Sequence, residues 1–178
     1  WCTNDYLGLS VHPAVIHAAC EAATRWGVGA RASRLLAGST RLHVQLEERL
    51  AAFFQTEAAL VFSSGYLANL GTLSALLTAK DVVLVDRLAH ASLIDACRAT
   101  RATLRVFRHN DVEHVAMLLR RYTKACRRLV VTEGLFSMDG DASPLPQLLE
   151  FAQAHEALLY VDDAHGAFAR GATGRGSP

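Results

Sequence analysis

Apolar and polar positions along this chain follow two different rhythms. Short, nearly continuous apolar runs at 58–62, 82–86, 103–108, 129–132 and 158–162 have the length and β-branched content of strands buried on both faces. Between them, 67–78, 92–100, 112–122 and 145–155 carry apolar residues at helical spacing. Asn110-Asp111 supplies an N-cap for the third of these helices, and Ser143-Pro144 opens the fourth with proline near its first turn. Five strands joined by four helical crossovers predict an α/β fold, a three-layer α/β/α sandwich around a mainly parallel sheet. Upstream, 13–26 and 42–54 read as two amphipathic helices around a Gly/Arg/Ser-rich loop, 27–40. A loop of that length in a compact domain points to a functional or interface role. The pattern divides the chain into an N-terminal helical region, 1–57, and an α/β region, 58–178.

Composition narrows the class. The 178 residues suffice for one sizeable core. A net charge of +1 gives no case for a nucleic-acid or acidic-membrane partner. No apolar run approaches the length of a membrane span and nothing at the start resembles a signal peptide, so a cytoplasmic location is the expectation. Cys2, Cys20, Cys97 and Cys126 are far apart and lack metal-ligand spacing, so they read as reduced, and no metal is expected. Basic residues are sixteen Arg and two Lys, Lys80 and Lys124. The chain opens on Trp1 without a methionine and stops after a Gly-rich run, so a piece of a longer protein is expected.

The candidate chemistry lies just after the strands, where ligands bind in open α/β sheets. Val161-Asp162-Asp163-Ala164-His165-Gly166 follows the last apolar run. Asp162 there suits a protonated pyridine nitrogen by ion pairing, with His165 within reach of a neighbouring ring oxygen. Asp163 reads as a local cap. Ser64-Gly65-Tyr66 precedes a helix whose first N–H groups suit a phosphate, although it is no GxGxxG fingerprint. His90 fits either stacking against an aromatic cofactor or capping the next helix. The segment from Glu133 to Asp141 suits a turn network around buried N–H groups, or an acidic metal site. Together these edges converge on a phosphate-bearing, ring-containing cofactor.

The segments NDYLGL from Asn4, SGY from Ser64, HASL from His90, FRHND from Phe107, TEGLFSMDGD from Thr132 and VDDAHG from Val161 resemble, in order and spacing, the pyridoxal-phosphate-dependent α-oxoamine synthases. The resemblance implies part of the large domain of fold type I pyridoxal-phosphate transferases, and a homodimer when complete. It implies that Ser64, Gly65 and Tyr66 hold the cofactor phosphate, His90 stacks on the ring, Asp162 pairs with the ring nitrogen and His165 meets the ring's phenolic oxygen. Ser137 would share that shell, Glu133 would support the loop, and Asn4 would lie near the substrate. TEGLFSMDGD and DDAHG point to the branch that condenses L-alanine with pimeloyl-CoA or a pimeloyl carrier protein. Glycine-using synthases of the aminoketobutyrate ligase type, and a non-catalytic remnant, are the alternatives. The family's Schiff-base lysine follows the next strand beyond VDDAHG, and neither Lys80 nor Lys124 lies in its Ser/Thr-rich motif. The segment alone is therefore expected to be inactive, and to fold poorly with a strand edge and a dimer face uncovered.

Overall fold

The computed structural model describes residues 3–177, and the chain divides into two compact units, Trp1–Val61 and Phe62–Pro178. The first unit holds helices α1 (Pro13–Trp26) and α2 (Arg41–Phe54). His12 caps α1, its Nδ1 accepting from the Ala14 N–H at 3.3 Å. The long connection between them is not irregular throughout, because Arg34–Gly38 forms a single wide helical turn. Gly38 is required there: a Cβ would meet the Ala32 carbonyl oxygen at 1.8 Å. The turn presents Arg34 to Glu47 of α2 in a forked pair, with N···O distances of 2.6 and 3.0 Å.

The second unit is the sandwich. Its elements are α3 (Gly65–Leu76), β1 (Val82–Asp86), α4 (Ala91–Ala99), β2 (Thr103–Phe107), α5 (Val112–Arg121), β3 (Arg128–Glu133), α6 (Leu145–Ala154) and β4 (Leu158–Asp162). The strands are parallel in the order β2-β1-β3-β4. β1 is buried along its whole length, which its sequence VVLVD anticipates. Val83 and Val85 join Leu73, Leu93 and Cys97 on one face, under α3 and α4. Val82 and Leu84 join Val115, Leu119 and Leu148 on the other, under α5 and α6. Those sides follow from handedness. The path from β1 to β2 runs one way along the sheet and the path from β2 through β3 to β4 runs the other way, so crossovers of one hand fall on opposite faces. The reversal makes a switch point between β1 and β3, the place where such sheets bind ligands.

One expectation needs correction. The sheet of the described residues has four strands and three crossovers, not five and four. The missing member is 58–62, which carries no strand. Its Val61 spends both backbone groups on side chains: the N–H donates to Glu47 Oε1 at 2.8 Å and the carbonyl accepts from Arg34 at 2.9 Å. Those bonds take the place of a ladder, and the Arg34 pair, with the Val61 N–H second, pulls the pKa of the Glu47 carboxyl down to about 2. The cap at Asp111, which accepts the His114 N–H at 2.8 Å, is as expected, and Pro144 directly precedes α6, where no side chain caps the helix.

Burial also sorts the thiols. Cys97 is fully enclosed on the buried face of α4, and burial pushes its pKa up to about 12, whereas Cys126 is exposed. Under native conditions a thiol reagent is expected to label Cys126 at once and Cys97 only after denaturant is added. Prompt labelling of Cys97 would show that the face under α3 and α4 is open.

Candidate functional site

A cavity of about 110 Å³ opens at the C-terminal edge of the sheet, lined by Gly65, Tyr66, Asn69, His90, Ser92, Glu133, Asp162, Ala164 and His165. Each polar group reaches it for a local reason. Ser64 caps α3, its Oγ accepting from the Leu67 N–H at 3.2 Å. Gly65 and Tyr66 thus occupy the first turn, where N–H groups have no intrahelical acceptor and the helix dipole favours an anion. The Tyr66 hydroxyl donates to Asp95 at 3.1 Å, and that bond raises its pKa. His90 follows β1 and caps α4, with Nδ1 accepting from the Ser92 N–H at 3.2 Å. Asp162 ends β4, and its Oδ1 accepts from the Ala164 N–H at 3.1 Å.

Glu133 ends β3 beside Asp162 in register. Its Oε1 accepts the His90 N–H at 2.6 Å, tying the ends of β1 and β3 across the switch point. Burial raises its pKa; the His90 N–H works against that, and the Asp162 and Asp86 charges add to it. The edge is therefore an acidic, partly dehydrated bay faced by the N-terminus of α3.

The structure brings Gly65, Tyr66, His90, Asp162 and His165 of the sequence-derived set to one cavity, with Ser64 as the cap behind it. Ser137 is not among the lining residues and is exposed in the loop after β3. Asn4 is exposed in the first unit. Asp163 is outside the lining too. Its Oδ2 accepts the Ser177 N–H at 2.9 Å, and its Oδ1 packs so close to Gly134 that a Cβ there would lie 2.0 Å away. Among the described residues no group of three or more His, Cys, Asp and Glu is placed to hold a metal ion. No described helix is long and apolar enough to cross a membrane.

Sequence reasoning missed Asn69, Ser92 and Tyr160. The buried Asn69 amide donates to Asp162 Oδ2 at 2.7 Å and to Ser92 Oγ at 2.9 Å, and its oxygen accepts from the Tyr160 hydroxyl at 2.8 Å. For Asn69 the signal was an amide one turn into the mostly apolar helix α3. Such a position is readable only as a buried polar group in need of partners.

Comparison with known proteins agrees with this architecture. The model of the family aminotransferase class I and II matches residues 1–176. The 8-amino-7-oxononanoate synthase of Geobacter sulfurreducens is 52% identical over 176 residues, which are 99% of this chain and 45% of that protein. That of Cellvibrio japonicus is 51% identical over 177 residues, 99% of this chain and 44% of its own length. The chain thus spans a little under half the length of the curated relatives it matches. Among solved structures, the serine palmitoyltransferase of Sphingomonas wittichii superposes with a TM-score of 0.95 at 40% identity, over 98% of this chain and 44% of that one. An 8-amino-7-oxononanoate synthase from Francisella tularensis gives 0.81 at 31% identity, over 99% and 48%. A single-residue variant of the S. paucimobilis serine palmitoyltransferase, also at 0.95 and 40% identity over 98% and 44% of the two chains, was solved with a bound PLP–myriocin aldimine. By family match and fold, this chain belongs to the aminotransferase class I and II family and resembles the 8-amino-7-oxononanoate synthases within it.

Proposed function

We propose that the complete protein is a pyridoxal-phosphate-dependent 8-amino-7-oxononanoate synthase, joining L-alanine to a pimeloyl thioester with loss of carbon dioxide, and that this chain supplies most of its cofactor cradle. The observation that carries the reading is the meeting of the first turn of α3, His90, Asp162 and His165 on one cavity. The residues fit such a group chemically. Each Asp162 oxygen has one hydrogen-bond donor and keeps a lone pair for a protonated ring nitrogen. The Gly65 and Tyr66 N–H groups suit a phosphate, and nothing stands within 4 Å of a Cβ position on Gly65 to crowd it.

When bound, pyridoxal phosphate supplies an electron sink for negative charge developing at the α-carbon of the amino acid. Asp162 would hold the proton on the ring nitrogen by ion pairing. His90 would pack against the ring, and His165 would donate to its phenolic oxygen. The α3 terminus would bind the phosphate, while Glu133 holds the His90 backbone in place. In this reading the protein is a cytoplasmic homodimer. The nearly bare Leu35 and Leu36 of the first unit support cover by a second copy.

The high superposition on serine palmitoyltransferases favours testing a second reading, in which another amino acid and acyl chain are used. The complete protein is to be assayed with pimeloyl-CoA and palmitoyl-CoA against L-alanine, glycine and L-serine. Under the proposal, L-alanine with pimeloyl-CoA has the highest kcat/KM and yields a product with the mass of 8-amino-7-oxononanoate. Preference for glycine or L-serine would overturn it.

A further inference from the structure

Asn69 sits one turn into α3, 5% exposed, with no role in the chemistry above. Both protons of its amide nitrogen are used, one on Asp162 Oδ2 at 2.7 Å and one on Ser92 Oγ at 2.9 Å. Its oxygen takes the Tyr160 hydroxyl at 2.8 Å. The reverse amide orientation would set that oxygen against a carboxylate oxygen, so electrostatics permit one orientation only. Asp162 Oδ1 is held separately by the Ala164 N–H at 3.1 Å. The plane of the carboxylate is therefore fixed at both oxygens.

The same amide acts in a second direction. Ser92, itself buried, has Oγ 2.7 Å from His90 Nδ1, and its backbone N–H donates to that nitrogen at 3.2 Å. With Asn69 donating to Ser92 Oγ, the serine proton is directed to His90. A ring nitrogen that accepts from both the hydroxyl and the amide of Ser92 carries no proton, so the neutral ring bears its proton on Nε2. Four side chains from α3, α4, β4 and the turn after β1 thus form one directed sequence of donors.

We propose that Asn69 is a positioning residue that sets the two cofactor-facing groups together: it fixes the Asp162 carboxylate directly, and through Ser92 it holds His90 as the Nε2–H tautomer. The proposal rests on the reading of Asp162 and His90 as cofactor contacts. Outer hydrogen-bond partners that orient a ligating side chain typically command about 10–100-fold in affinity or activity, and that is the scale expected here.

The test uses the complete protein as wild type, Asn69→Leu, Ser92→Ala and Asp162→Asn. Asn69→Leu is expected to weaken pyridoxal phosphate binding about 10-fold and lower kcat about 10–100-fold, with little change in the thioester KM. It should also shift the pH dependence of the bound cofactor's absorbance, which a merely structural loss would leave alone. Ser92→Ala, a smaller perturbation, serves if Asn69→Leu does not fold. The ¹⁵N spectrum of wild-type His90 is expected to show a single Nε2–H form, with the Nδ1 resonance shifted in Ser92→Ala by loss of the hydroxyl bond while the backbone N–H keeps the tautomer. The proposal is overturned if a folded Asn69→Leu keeps the wild-type dissociation constant and pH profile, or if wild-type His90 carries its proton on Nδ1. Were Asp162→Asn also without effect on cofactor binding, the underlying reading of the site would fail. An effect of Asp162→Asn alone overturns only the role of Asn69.

Discussion

Asp162→Asn in the complete protein is expected to lower kcat/KM on the order of 10²–10³-fold while leaving the fold intact. The scale is that of removing one preorganised electrostatic group from a water-poor site. The carboxylate ends β4 and accepts from Asn69 and Ala164 with one oxygen each. An asparagine has one oxygen to offer, so one donor loses its acceptor and faces an NH2 group instead. The larger loss is the charge. A neutral amide does not hold a proton on a pyridine nitrogen at neutral pH, and the electron sink weakens accordingly. Steady-state kinetics alongside the melting temperature check the result. Near-normal turnover in a folded variant would remove Asp162 from the role assigned to it.

The second large effect lies away from the cavity. His109→Leu is expected to destabilise the protein by about 3 kcal/mol, the lower end of the cost of breaking a buried ion pair. Asp86 is fully buried at the end of β1, and His109 Nδ1 lies 2.9 Å from it; Nε2 lies 2.7 Å from Asp141 in the loop after β3. A ring that gives a proton to a carboxylate at each nitrogen is an imidazolium. Without it, Asp86 keeps the Leu88 and Asn110 N–H donors but loses its compensating charge. Burial opposes the charge on His109, yet the bonds to Asp86 and Asp141 outweigh it and hold the pKa above the usual imidazole value.

A raised folded pKa means that the native state binds the proton more tightly than the unfolded chain does. The stabilisation is therefore complete below the ordinary histidine pKa, about 6.5, and fades as pH rises through the folded value. The gap in urea-unfolding free energy between wild type and His109→Leu should be larger at pH 6 than at pH 9. A gap independent of pH would mean that folding leaves the His109 pKa unchanged, and a gap smaller at pH 6 than at pH 9 that the ring is held neutral.

The candidate site was largely legible because its parts are tied to element ends. Asp162, His90 and Glu133 each follow an apolar run, and a parallel strand delivers whatever follows it to one edge. Ser64 and Gly65 were readable as a helix start. Ser137 was less so, since a resemblance names a position without giving its side chain a direction, and here the residue lies on the exposed part of its loop.

Neighbours within a turn or a strand set the type and order of every element except 58–62, the three-layer class and the cap at Asp111. Packing settled what depends on partners far along the chain. Residues 58–62 have the composition of a strand, yet a strand is defined by a ladder, and Arg34 and Glu47 occupy the backbone of Val61 instead. Asn69 meets Asp162 across 93 residues and Tyr160 across 91. Those bonds exist only because the strand order sets β4 beside β3 and α3 packs on that face of the sheet. Periodicity is blind to such pairings, because a buried polar group takes its partners from the packing around it and not from its place in a local pattern.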